Sequence, residues 1–226
     1  MKQLAASVAL LAVLAACGND KSGPNPMVSA IGAMAKDSVA KVKARKSGGK
    51  TGGKSVSVED RRAELEKAGK PILRVSSKTL GQTSLLTVLD AKGDVLTWKT
   101  RDGATFSQRS GVLIQTRGLG ADLMSAEAPS VGQLMRPGTS YRRIYYFLGD
   151  DDQGTRRTYD CTTTIVGKES IEIMGRSYNA THVSETCERP LGKLNNDYWI
   201  EGASIRQSRQ WVSGAIGYVE FQRVID

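Results

Sequence analysis

The 226-residue chain carries a single histidine, His182, and three cysteines. A histidine-rich metal centre is excluded, and so is any catalytic scheme that needs two histidines. Aromatic residues make up only 6% of the chain. No apolar run reaches the roughly 20 residues that a membrane-spanning helix requires. What remains is 39% hydrophobic and 24% charged, enough apolar material for one sizeable core and too much for wholesale disorder. The length allows one domain or at most two.

The longest apolar stretch, Leu4 to Ala16, follows Lys2 and ends in Leu14-Ala15-Ala16-Cys17. A positive start, a short apolar centre and a small-residue exit predict a secretory signal peptide over 1–16. The exit resembles the lipobox of bacterial lipoproteins, in which cleavage leaves a lipidated Cys17 as the new N-terminus. The alternative is an ordinary signal with an incidental cysteine. Each buried CH₂ of such an anchor adds about 0.8 kcal/mol of membrane affinity, so several acyl chains hold a protein essentially permanently. By the sorting rule of Gram-negative lipoproteins, Gly18 in place of Asp implies the outer membrane, with the periplasmic face as the expected address. Removing Cys17 from the count leaves Cys161 and Cys187, an even number in an oxidising compartment, which predicts a disulfide. Two free thiols are the alternative; zinc lacks ligands, since only His182 lies nearby.

A net charge of +9 and a pI near 9.5 suggest nucleic acid until the charge is located. Residues 21–70 hold 12 basic against 5 acidic side chains, whereas residues 71–226 hold 19 against 17. The later part is therefore nearly neutral, and no nucleic-acid partner is expected. Met27 to Val42 has helical apolar spacing with lysines on the other side, compatible with either a membrane-surface helix or a solvated stalk. Ser47 to Ser55 is Gly/Ser/Lys-rich and flexible by composition, and lacks the preceding strand of a phosphate-binding loop. Residues 17–56 thus read as a lipidated basic tether. A short helix follows, opened by Ser57 and Asp60, with a Val58, Leu65 and Ala68 stripe and a stop at Gly69.

From Pro71 onward, short alternating runs separated by marked turns predict an all-β domain over 57–226, an antiparallel β-sandwich or open half-barrel. Tyr159, Cys161, Thr163 and Ile165 share one strand face. The stretch Leu119–Pro137 breaks the rhythm and reads as loop with a helical turn.

Several segments resemble one family. Ala68 to Val75, Asp94 to Trp98, Asp102 to Thr105 and Gly111 to Ser125 look like the opening of the YjbF/GfcB lipoproteins. Tyr198-Trp199, Ser208-Arg209-Gln210-Trp211 and Gly217-Tyr218 are similar to its latter half. The resemblance covers about residues 57–226, and Thr116-Arg117-Gly118-Leu119-Gly120-Ala121-Asp122-Leu123-Met124-Ser125 is its most specific part. It implies a lipid-anchored β-rich protein linked to exopolysaccharide or group 4 capsule production and export. The long basic tether is a departure from the pattern.

Candidate contact residues follow. Arg117 offers a planar fork to an acidic sugar or partner carboxylate; alternatively it pairs internally with Asp122 across a Gly118–Gly120 turn. Trp199 and Trp211, with Arg209 between them in sequence, could stack on sugar rings, although packing within the sheet explains most such aromatics. Asp150-Asp151-Asp152 lacks calcium-loop spacing and reads as a solvated hairpin tip, and His182 reads as structural. No carboxylate pair, nucleophile elbow or phosphate loop stands out, so neither catalysis nor a cofactor is expected. The expected partners are the outer membrane through the anchor, an exopolysaccharide and an outer-membrane secretion partner. A polysaccharide hydrolase or lyase and a general envelope-assembly lipoprotein are the alternatives.

Overall fold

The computed structural model describes residues 57–148 and 154–226. The signal segment, Cys17, the basic tether and the Asp150-Asp151-Asp152 run lie outside the described residues. A helix α1 (Val58–Lys67) leads into β1 (Ile72–Ser77), β2 (Gln82–Lys92), β3 (Val95–Lys99), β4 (Thr105–Arg109) and β5 (Val112–Arg117). After a loop come β6 (Leu123–Glu127), α2 (Val131–Leu134), β7 (Ser140–Leu148) and β8 (Gly154–Ile173). The chain ends with β9 (Arg176–Arg189), β10 (Gly192–Glu201), β11 (Ser204–Ser213) and β12 (Gly217–Ile225).

All twelve strands form one antiparallel sheet in the order β5-β4-β3-β2-β1-β12-β11-β10-β9-β8-β7-β6. Two meanders are thus joined where β1 pairs with β12, Val75 opposite Phe221. The two edges of the sheet, β5 and β6, are consecutive in sequence. The short loop 118–122 therefore brings the edges together, and the sheet curls into a nearly closed barrel. The all-β reading holds, with a barrel-like sheet as the architecture.

The barrel is apolar inside and polar outside, the reverse of a transmembrane barrel. Trp98, Phe106, Leu86, Leu113 and Leu123 are fully buried among Phe221, Val219 and the two strand cysteines. A second cluster of Val112, Leu134, Val183, Tyr198 and Ile200 fills one mouth, where α2 acts as a plug. Helix α2 is opened by a reciprocal Ser130–Gln133 capping box, which satisfies donors that so short a helix otherwise leaves unpaired. Gly111, at φ +91°, lets the β4–β5 turn approach β11 so closely that a Cβ there would stand 2.9 Å from Ile205 Cβ.

Between the apolar layers lies a buried charge pair. Arg143 on β7 meets Glu185 on β9 at 2.7 Å, and both side chains are 0% exposed. The Glu185 carboxylate also accepts from Tyr141 Oη at 2.7 Å, Asn196 Nδ2 at 2.6 Å and Tyr198 Oη at 3.1 Å. Arg143 donates further to Tyr198 Oη at 2.9 Å and to the Leu113 carbonyl at 3.4 Å, reaching across the barrel to β5. Gln210 completes the crossing, accepting from the Leu113 amide at 2.8 Å and donating to the Gly111 carbonyl at 2.9 Å. Burial raises the Tyr141 phenol well above its ordinary range, with the Glu185 charge adding to it. Burial likewise raises Tyr198, outweighing the opposing pull of Arg143. Both phenols remain neutral donors.

Three expectations need correction. The stretch Leu119–Pro137 contains a strand, β6, besides the helical turn; only Leu123 is fully buried there, and a bulge at its pairing with β7 removes the alternation. Strand β8 runs unbroken from Gly154 to Ile173, with a register shift between Ile165 and Gly167. Tyr159, Cys161 and Thr163 face inward, but Ile165 lies at that shift and is 39% exposed. In α1 the expected Ser57 cap is present, its hydroxyl accepting from the Asp60 amide at 3.0 Å. Of the apolar stripe only Leu65 packs against the barrel, Val58 being 51% exposed, so the stripe alone does not hold the helix. Arg62 does: buried, it donates to the Ile173 carbonyl at 2.9 Å, the Val224 carbonyl at 2.6 Å and Tyr178 Oη at 3.1 Å. A guanidinium with five donors can satisfy several strand-end carbonyls at once.

Removing one partner of a buried ion pair strands the other charge and typically costs about 3–5 kcal/mol. Glu185→Ala is therefore expected to lower the urea-unfolding free energy by about that amount, and Arg143→Met/Glu185→Leu to recover most of it. An unchanged unfolding free energy in Glu185→Ala would show that the pair does not bear on stability.

Candidate functional site

Cys161 and Cys187 stand directly opposite each other on β8 and β9 with Cα atoms 4.0 Å apart, and they are joined by a disulfide. Both are fully buried. Glu185 lies close to the two sulfurs, but bridged sulfurs are not thiolates and the carboxylate is already committed to Arg143. The bridge ties together the two longest strands; on the chain-entropy model such a loop contributes roughly 3.5 kcal/mol.

Arg117 and Asp122 sit at the barrel seam, and they do not bond to each other. Arg117 donates to the carbonyls of Thr116 at 2.6 Å, Leu123 at 3.2 Å and Met124 at 3.2 Å. Asp122 accepts from the Gly118 amide at 2.9 Å, the Leu119 amide at 3.2 Å and Thr116 Oγ1 at 2.8 Å. The Leu123 amide in turn donates to Thr116 Oγ1 at 2.9 Å. These contacts span the edges β5 and β6 where a strand ladder is absent, so side chains close the barrel. The internal pairing expected for Arg117 and Asp122 is replaced by two separate clasps on backbone groups. The reason is geometric: six backbone groups at a sheet edge need partners, and a direct ion pair would satisfy none of them.

Trp199 and Arg209 lie on the outer face of β10 and β11. His182 pairs with Trp199 across β9–β10 and stacks on its ring, centroids 4.5 Å apart and planes 13° from parallel. The indole N–H donates to Glu169 Oε2 at 2.7 Å, and His182 bonds Glu169 at 2.9 Å and Asp197 at 3.3 Å. Arg209 pairs with Asp197 at 3.6 Å and stands 3.8 Å over the Tyr218 ring. His182 is thus the hinge of a continuous outer-face cluster, and one face of Trp199 is occupied from within. Hydrogen bonds from Trp199 and His182 hold the Glu169 carboxyl below its ordinary range.

Trp211 is separate from Trp199. It lies at a bulge of β11 and packs edge-on against Tyr145 at 5.2 Å and Phe147 at 5.7 Å. The sequence candidates therefore fall into three places: the seam, the outer-face cluster and an aromatic cluster around Trp211. Cys17 lies outside the described residues. Sequence reasoning missed Arg143, Glu185 and Arg62. Arg143 shares strand parity with Tyr141 and Tyr145, and Glu185 with Val183 and Cys187, so charged residues at inward positions were the available signal.

A family model described as "Group 4 capsule polysaccharide lipoprotein gfcB, YjbF" matches residues 53–224. The chain belongs to the YjbF family. Among solved structures, the hypothetical lipoprotein YmcC from Escherichia coli K12 aligns with a TM-score of 0.65 at 19% identity. The alignment covers 73% of this chain and 88% of YmcC, and shows a shared fold. A putative exported protein with a YmcC-like fold from Bacteroides fragilis aligns at 11% identity with a TM-score of 0.32, covering 69% and 94% of the two chains. No curated protein matches. Among the described residues no helix is long and apolar enough to cross a membrane. In this YjbF-family chain, the segment carrying the most specific resemblance, Thr116 to Ser125, is the seam itself.

Two outcomes are expected. Asp122→Ala strands the amides of Gly118 and Leu119, a loss of about 1–3 kcal/mol; hydrogen exchange should accelerate at these amides and along β6 while the β1–β12 junction stays protected. Uniform acceleration would place the seam outside the account. For Glu169, the lowered pKa means that the clamp is present above the ordinary carboxylate value of 4.5 and is lost as pH falls through the lower folded value. Trp199 fluorescence should therefore change on acidification below that value, and Glu169→Gln should remove the transition. A transition persisting in the variant would assign it to another group.

Proposed function

We propose that this protein is a lipid-anchored outer-membrane lipoprotein that assists capsule or exopolysaccharide export by contacting polymer or a secretion partner without turning it over. The observation that carries this reading is the polarity of the barrel. Arg62 fixes α1, and with it the point where the tether arrives, against the strand ends Ile173 and Val224. The antiparallel order then sends the β1–β2, β3–β4, β9–β10 and β11–β12 turns to the opposite end. Gly217 lies against Thr79, and Gly118 against Ala104, so these turns gather into one distal rim. A tether at one end leaves that rim pointing away from the anchor. The family's printed description supplies the capsule context, and the polar outer surface suits a domain in the aqueous periplasm.

A catalytic alternative has one observation in its favour: Glu169 and Asp197 are two carboxylates flanking His182. Both are occupied by the imidazole between them, whereas a glycosidase pair needs open space for sugar and water. Chain length of purified polymer incubated with the protein decides the matter: no shortening is expected, and shortening abolished by Asp197→Asn would establish an enzyme.

The role itself is tested by measuring secreted and surface polysaccharide in a clean deletion, complemented with wild type or Cys17→Ala. A loss rescued by wild type alone is expected. Unchanged polymer under producing conditions would overturn the reading in favour of general envelope assembly.

A further inference from the structure

The distal rim carries an aromatic cluster with two arginines, Arg157 and Arg189, stacked on its rings. Phe147 and Tyr145 stack at 6.2 Å, Tyr145 and Tyr159 meet edge-on at 5.8 Å, and Trp211 leans on all three. Tyr145 and Tyr159 are buried, whereas Phe147 and Trp211 are half-buried and reach the surface. Arg157 lies over the Phe147 ring at 5.2 Å and Arg189 over Tyr159 at 5.5 Å.

Among the described residues, neither guanidinium has a carboxylate partner. The acids nearest in the ladder are already taken: Asp160 by Arg142 at 3.8 Å and Glu188 by Lys193 at 2.8 Å. The Arg189 Nε is buried without any hydrogen-bond acceptor. A buried donor left unpaired is costly, and a guanidinium stacked on a ring keeps its planar fork oriented for an incoming carboxylate. The outer-face cluster differs on this point, since Arg209 there is matched by Asp197.

We infer that this rim binds a carboxylated sugar unit of an acidic polysaccharide. The half-buried faces of Phe147 and Trp211 would pack against the sugar ring, while Arg157 and Arg189 would hold its carboxylate through charge-assisted hydrogen bonds. The aromatic contacts supply shape, and the two cations select acidic over neutral sugars. This assignment rests on the polymer-contact reading above and names the ligand class and the place where contact occurs.

The test uses the full lipidated chain in detergent micelles, titrated calorimetrically with an oligogalacturonate and with a neutral dextran oligosaccharide of equal length. Binding of the oligogalacturonate alone is expected, weakening with added salt. Arg157→Gln and Arg189→Gln should each reduce that affinity at least tenfold with an unchanged thermal melt. Arg157, which has no buried unpaired nitrogen, is the variant that decides the matter if Arg189→Gln melts early. Equal binding by wild type and Arg157→Gln would overturn this site while leaving polymer contact elsewhere standing. Equal binding of the neutral oligosaccharide would overturn the acidic assignment. No binding of either sugar, in a strain where deletion still abolishes polymer output, would overturn the sugar site and leave contact with a secretion partner as the surviving form of the function.

Discussion

The fold depends on keeping one ion pair dry. Arg143 and Glu185 sit where an ordinary barrel of this size would place leucine and valine, and each is stable there only because the other is present. Tyr141, Asn196 and Tyr198 consume the remaining acceptor capacity of the carboxylate, and Leu113 receives the far end of the guanidinium. The consequence is directional. An apolar interior would tolerate several strand registers, whereas this network fits only when β5, β7, β9, β10 and β11 are aligned as they are. A slip by one residue would turn Arg143 or Glu185 outward and strand its partner.

The same logic of polar side chains on backbone groups recurs at the two weak points of the sheet. At the seam, Arg117 and Asp122 satisfy carbonyls and amides that no neighbouring strand reaches. At the tether end, Arg62 does this for strand-end carbonyls and so fixes α1 to the barrel. Exposed strand edges invite pairing with other chains, and closure by side chains removes that hazard without requiring a perfect ladder. The disulfide supplements this on β8 and β9, the strands that extend furthest beyond their neighbours.

Much of this was legible in the sequence, and the parts that were not have a common cause. The strand rhythm, the turns and the pairing of Cys161 with Cys187 follow from local alternation and cysteine arithmetic. Strand β6 escaped because a bulge and a single fully buried residue leave no period to read. Arg143, Glu185 and Arg62 escaped because a lone charged residue in a strand or helix reads as solvent-facing until its partner, far away in sequence, is placed beside it. Trp199 and Trp211, twelve residues apart on adjacent strands, look equivalent in sequence; only the fold separates a ring covered by His182 from one open at the rim.

On the proposed function, the end that bears α1 is held to the membrane and the distal rim is presented to the periplasm. The most direct test places a photo-crosslinking residue in cells that are producing polymer, at Leu191 on the rim, where the side chain is 85% exposed, and separately at Lys67 beside the tether. The account predicts polysaccharide or secretion-partner adducts from position 191 and few from position 67. Adducts confined to position 67 would contradict it and make the anchored end the working surface.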